Sequence, residues 1–189
     1  MGSSTNAKEK FIETAGRLFE SKGYNATGLN EILKESGAPK GSFYYHFPNG
    51  KEQLALESIK FACDKITTNL KNMLARFEDP AEAIVANTIN LAEILDDEKK
   101  LRDMSISLIA LETYDSSEVL REACRETFDL IEQIYFDKLI KYSITEIRAR
   151  ELASVILSMT EGAIILSLTR KNSDALRRVA KQIPMLINV

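Results

Sequence analysis

The chain has 189 residues, 44% hydrophobic and 28% charged, and this balance buries a real core, which excludes an intrinsically disordered or fibrous chain. Four prolines, eight glycines and no tryptophan favour an all-α fold of about nine helices in one or two compact units. The net charge of −3, divided as 8 basic against 7 acidic residues in positions 1–60 and 17 against 21 in the remainder, excludes indiscriminate coating of nucleic acid and leaves room for a local cationic site.

The first predicted element is an amphipathic helix over residues 7–22, with Phe11, Ile12, Ala15, Leu18 and Phe19 on one face and Gly23 ending it. A short helix follows, its apolar face made by Leu29, Ile32 and Leu33 at i, i+3 and i+4. Ser36 and Gly37 close it, and Pro39 has the fixed φ suited to the first turn of another. Two helices joined by so short a break meet at a steep angle, the helix-turn-helix arrangement. On the second of them Phe43 and Phe47 share one face, four residues apart. The opposite side carries Lys40, Gly41, Ser42, Tyr44, Tyr45 and His46, with no aliphatic residue. A cation, a hydroxyl, two phenols and an imidazole all bond phosphate oxygens or base edges. Packing of half-buried tyrosines is the competing reading of each residue alone.

The stretch TGLNEILKESGAPKGSFYYHFPNGKE resembles the DNA-binding signature of the TetR family of bacterial repressors, and FIETAGRLFESKGYNAT is similar to that family's first helix. Ala38 and Pro39 depart from the family pattern, so a hydroxyl contact common at the second position is unavailable. The resemblance implies a helix-turn-helix DNA-binding domain over 1–48 and a ligand-binding and dimerisation domain over 49–189. It also implies that Thr27, Gly28, Lys40, Gly41, Ser42, Tyr44, Tyr45, His46 and Lys51 touch DNA. Within that set, Lys40 and Gly41 are expected at base edges and the others at phosphates.

Beyond it, Asn49 and Glu52 have capping-box spacing and open a helix expected to run to about Phe77. Asp79, Pro80 and Glu82 cap a fifth helix, which the knot DDEKK ends. A sixth is expected over Leu101 to Leu111, a seventh from a cap at Asp115 and Glu118 to about Tyr142, an eighth from Thr145 to about Thr169, and a last from Ser173 or Asp174. Pro184 marks the end of that helix or a kink.

On the eighth helix, Ser154, Ser158 and Gly162 recur every four residues, a small-residue stripe that admits another helix closely. The rest of its circumference is apolar, which suits burial against its own fold on one side and a twin on the other. The dimer contact is accordingly expected at Ser154, Ser158, Gly162, Ile165, Leu176, Val179 and Ile183, the core helix of a monomer being the alternative. A mostly apolar effector site with a few polar groups is expected in the second domain, at Phe61, Met73, Thr88, Leu91, Leu108, Glu112, Phe128 and Tyr135. SMTEGAIILSLTRKN resembles the LmrA/YxaF-like branch of Gram-positive multidrug and aromatic-compound resistance repressors, which implies a lipophilic or aromatic effector.

These expectations combine into a cytoplasmic homodimeric repressor that binds a palindromic double-stranded operator and is released by a small molecule. A helical protein-interaction module without DNA binding is the alternative. No enzyme, cofactor, metal or membrane partner is expected: there is one histidine, no metal-ligand cluster, no phosphate-binding glycine loop and no nucleophile motif. Residues 1–10 have no apolar stretch, Asn6 departs from the myristoylation pattern, and Leu152–Thr169 is interrupted by Glu161 and Gly162. Cys63 and Cys124, in apolar helical contexts, are expected to be reduced core thiols.

Overall fold

The computed structural model describes residues 2–97, 106–142 and 144–188, with side chains from Ala7 onward. Among the described residues every regular element is a helix: α1 (Gly2–Lys22), α2 (Leu29–Glu35), α3 (Lys40–His46), α4 (Gly50–Leu74), α5 (Pro80–Asp96), α6 (Ser107–Thr113), α7 (Glu118–Ile140), α8 (Glu146–Arg170) and α9 (Asp174–Ile187). The expected start of the sixth helix at Leu101, and the end of the DDEKK knot, lie outside the described residues.

Two compact units emerge, Met1–Asp64 with Ser105–Thr127, and Lys65–Met104 with Phe128–Val189. This differs from a division at residue 48. The first part of α4 is a wall of the first unit, through Leu54, Ala55 and Ile59, and α6 packs on α1. Helices α4 and α7 are each continuous through a boundary between units.

In the first unit, α1 meets α2, α3 and α6. Its centre is aromatic: Phe11 stands edge-on to Phe43 at 5.3 Å and to Phe47 at 6.1 Å. All three rings are fully buried, and each such side chain is worth roughly 1.5–3 kcal/mol of apolar transfer. Salt bridges Arg17–Glu35 and Lys22–Glu31 tie α1 to α2 at the surface.

Helix starts follow local chemistry, with some partners differing from expectation. Asp79 accepts from the Glu82 amide at 2.9 Å, with Pro80 in the first turn of α5, and Thr145 accepts from the Arg148 amide at the start of α8. The α4 box closes through Gln53, whose Oε1 accepts from the Asn49 amide at 3.0 Å. Glu52 accepts instead from the Ser117 hydroxyl at 2.6 Å. Ser117, not Asp115, caps α7, its oxygen accepting from the Leu120 amide. Pro184 lies within α9, which continues to Ile187.

The second unit packs α5 against α8 and α9. Its main core joins Leu70 and Leu74 of α4, Ile84 of α5, Tyr135 and Leu139 of α7, Leu152 and Ile156 of α8, and Ile183 of α9. A smaller one joins Leu95, Ile164 and Leu176. By length and composition α8 could cross a membrane, but here it buries Leu152, Ile156 and Ile164 in these two clusters.

Candidate nucleic-acid interface and effector cavity

Helix α3 is held by one face and offers the other. Phe43 and Phe47 are fully buried, whereas Tyr44 is 58% and Tyr45 80% exposed, with Lys40 and Gly41 also exposed. The turn before it is built for this purpose. Gly37 takes φ +61, and Ser36 donates its hydroxyl to Leu33 O and accepts from the Ala38 amide, which fixes the entry to α3. Pro39 is the residue before the helix and not within its first turn. Ser42 and His46 are half-buried. The Ser42 hydroxyl donates to Pro39 O at 2.7 Å, which leaves its oxygen lone pairs to accept, and the His46 ring leans edge-on against Tyr45 at 5.1 Å.

Around this helix the remaining sequence-predicted residues divide. Gly28 is exposed and precedes α2. Thr27 is fully buried. Its hydroxyl donates to Gly23 O at 2.7 Å and its amide to Tyr24 O, so both donors close the turn ahead of α2 and neither is presented to a phosphate. The Lys51 ammonium sits 4.1 Å over the Tyr24 ring, and partial burial lowers its pKa while Glu112 raises it.

The second unit contains a cavity of about 640 Å³, within the range of small-molecule sites. Of the sequence-predicted residues, Met73, Leu91 and Tyr135 line it. Thr88 does not: it is fully buried and donates its hydroxyl to Ile84 O within its own helix. Phe128 packs on the main core. Phe61, Leu108 and Glu112 belong to the first unit. Leu108 is exposed there, and Glu112 accepts from the Asn25 amide at 2.9 Å.

The walls are more polar than expected. Asn69 and Asn72 of α4, Arg76 in the turn after it, Asn87 and Asn90 of α5, and Thr160 and Glu161 of α8 stand among Ile66, Leu70, Ile131 and Leu157. Asn87 Nδ2 donates to the Tyr135 hydroxyl oxygen at 3.2 Å. Burial, and then the Glu161 carboxylate, push the Tyr135 phenol well above its usual range, so it remains an O–H group. Sequence reasoning missed the asparagines as a set. Asparagine is a poor helix former, and its recurrence beside Ile66, Leu70, Met73 and Leu91 was the available signal.

Two family profiles match the sequence: bacterial regulatory proteins of the tetR family over residues 11–57, and the C-terminal domain of LmrA/YxaF-like transcriptional regulators over residues 80–182. The HTH-type transcriptional regulator YxaF of Bacillus subtilis is 41% identical over 187 residues, covering 99% of this chain and 98% of its own. The chain belongs to the TetR family. LmrA of Bacillus subtilis, also an HTH-type transcriptional regulator, is 42% identical over 182 residues, covering 96% of this chain and 97% of its own. The fold matches a TetR transcriptional regulator from Chloroflexus aurantiacus with a TM-score of 0.83 at 23% identity, covering 100% of this chain and 97% of that one.

This TetR-family regulator is a DNA-binding transcription factor and not an enzyme. Its last two helices divide the residues expected at a dimer contact. Ser154, Ser158, Gly162 and Ile165 are exposed on α8, and a Cβ built on Gly162 would meet nothing within 4 Å. Leu176 and Ile183 are fully buried, and Val179 packs on both cores of the second unit. The apolar face of α9 therefore serves its own protomer, which removes Leu176 and Ile183 from any surface available to a twin.

Proposed function

We propose that this TetR-family regulator is a cytoplasmic homodimeric repressor that reads a palindromic operator with two copies of α3 and leaves it when a small molecule occupies the cavity of the second unit. The observation that carries the DNA-facing part is the division of α3 between a buried Phe43–Phe47 face and an outer face with Tyr45 80% exposed. Lys40 and Gly41 meet base edges, while Ser42, Tyr44, Tyr45 and His46, with Gly28 and Lys51, hold phosphates. One two-turn helix specifies too few bases. A symmetric pair reads half-sites about 34–36 Å apart, in successive major grooves.

Pairing is supported by the outer side of α8, where Val155, Ile165, Leu166 and Leu168 are 42–46% exposed, and by Met185 of α9 at 64%. Apolar groups at this density beside Ser154, Ser158 and Gly162 suit a close helix contact across a two-fold axis. Helices α4 and α7 run unbroken from one unit into the next. Ligand-biased placement of such continuous elements alters the spacing of the two reading heads.

The test is a footprint of the full chain on the promoters of its own and adjacent genes. Protection of a palindrome by the wild type, its loss in Tyr45→Ala with the oligomer intact, and its release by an aromatic compound that raises the melting temperature are the expected results. A Tyr45→Ala chain that protects the palindrome normally overturns the assignment of α3.

A further inference from the structure

The first unit holds its basic side chains in two ways. Lys8, Arg17 and Lys22 direct N–H donors at Glu57, Glu35 and Glu31, in ion pairs that join one helix to another. Lys51, in the first turn of α4, is held differently. Its ammonium lies 4.1 Å over the Tyr24 ring, and among the described residues it makes no hydrogen bond or ion pair. A ring face attracts a cation through its quadrupole, and the N–H donors directed away from the ring stay available to an acceptor. Partial burial lowers the Lys51 pKa and the Glu112 carboxylate opposes that shift, favouring the charged form.

Tyr24 is itself a fixed platform. Its ring stands against the buried Phe19 ring with centroids 5.4 Å apart, and its carbonyl accepts from the Thr27 amide at 3.3 Å. The neighbouring Asn25 amide donates to Glu112, and Gly23 before it takes φ +85. A lysine without such a support samples many rotamers, and ordering it on binding subtracts from affinity. We infer that Tyr24 is a positioning residue for DNA binding: its ring holds the Lys51 ammonium, with N–H donors unsatisfied, where an operator phosphate completes them. This rests on the reading of Lys51 as a phosphate contact. Tyr24 acts only through Lys51 and touches no DNA, so its contribution vanishes when the lysine is absent.

The experiment is a double-mutant cycle on the full chain, read by fluorescence anisotropy with a labelled duplex of the promoter segment that its footprint protects, at several salt concentrations. Lys51→Ala is expected to weaken binding about tenfold or more and to lower the salt slope by about one. Tyr24→Leu is expected to weaken binding about two- to fivefold, Tyr24→Phe to restore most of that loss, and Tyr24→Leu added to Lys51→Ala to cost nothing further. Tyr24→Met is measured beside Tyr24→Leu, so that misfolding of one leaves the other to complete the cycle. If the non-aromatic variants weaken binding equally with and without Lys51, or Tyr24→Phe loses as much as Tyr24→Leu, the positioning role is overturned while the Lys51 phosphate contact stands. If Lys51→Ala leaves affinity and salt slope unchanged, or the wild type binds no duplex, the phosphate reading falls and this inference falls with it.

Discussion

The Glu112 carboxylate of α6 accepts a hydrogen bond from the Asn25 amide at 2.9 Å, across 87 residues of sequence. It crosses directly over Gly23, where an added Cβ would stand 2.2 Å from Glu112 Oε1. Gly23 is therefore fixed twice, by this approach and by φ +85. Gly23→Ala is expected to destabilise the chain by roughly 1–2 kcal/mol from the left-handed backbone alone, with displacement of Glu112 in addition. Glu112→Ala removes the acceptor and is expected to cost about 1 kcal/mol, whereas Glu112→Gln retains an oxygen there. Urea unfolding measures the cost. Hydrogen exchange of the Asn25 amide supplies the specific readout, faster in Glu112→Ala and close to wild type in Glu112→Gln.

On the DNA-facing surface, Lys40→Ala and Tyr45→Ala are expected to separate charge from shape. Both positions are exposed, so neither variant should change the melting temperature beyond about 0.5 kcal/mol equivalent. Lys40 at a guanine edge predicts relaxed preference at one operator position and a loss of about 1–3 kcal/mol. Were Lys40 instead bound to a phosphate, binding would weaken evenly across operator variants and the salt slope would fall by about one. Affinity titrations at several salt concentrations, on operators mutated one pair at a time, distinguish the two.

Short-range periodicity carried the first unit. Phe43 and Phe47 are one helical turn apart, and their shared burial follows from geometry that any seven-residue window contains. What escaped the sequence depends on distant chain segments. Asn87 and Tyr135 meet across 48 residues and Asn25 and Glu112 across 87, and no spacing rule brings either pair together. The misassigned Leu176 and Ile183 have a different cause. Periodicity established that α9 has an apolar face, but the same pattern serves a protomer's own core and a partner's surface. Only the packing of α9 on α5 and α8 decides between them.

The two thiols are expected to differ in reactivity. Cys124 is 2% exposed, and burial pushes its thiol from an ordinary 9.0 up to about 11. Since the thiolate is the reacting form, iodoacetamide at about pH 8 should label half-buried Cys63 well ahead of Cys124. Peptide mass spectrometry over a time course checks the order. The sign for stability follows from the same shift. A raised pKa favours the protonated thiol in the folded chain, so its contribution is complete below pH 9.0 and is lost as pH rises toward about 11. Tyr135, raised by burial and Glu161, adds to the same alkaline loss above its ordinary 10.0. Cys124→Ala should flatten the lower part of that limb and Tyr135→Phe the upper part.

Gly162 provides the sharpest test of pairing, because within the protomer its position is empty space. Nothing lies within 4 Å of a Cβ added there, and it is an interior position of α8, where replacing glycine by a better helix former stabilises an isolated helix by up to about 1 kcal/mol. Gly162→Leu should therefore leave a monomer's fold intact. If α8 meets its twin along Ser154, Ser158 and Gly162, the leucine forces the two helices apart, and sedimentation should register a shift from dimer to single chains at micromolar concentration. Leu176→Ala makes the opposite prediction. Its side chain is fully buried in the protomer, so it should lower unfolding stability by roughly 2–5 kcal/mol, and this cost does not depend on a twin. A Gly162→Leu chain that remains dimeric would move the contact to another surface, with exposed Ile147 and Met185 the next positions to substitute.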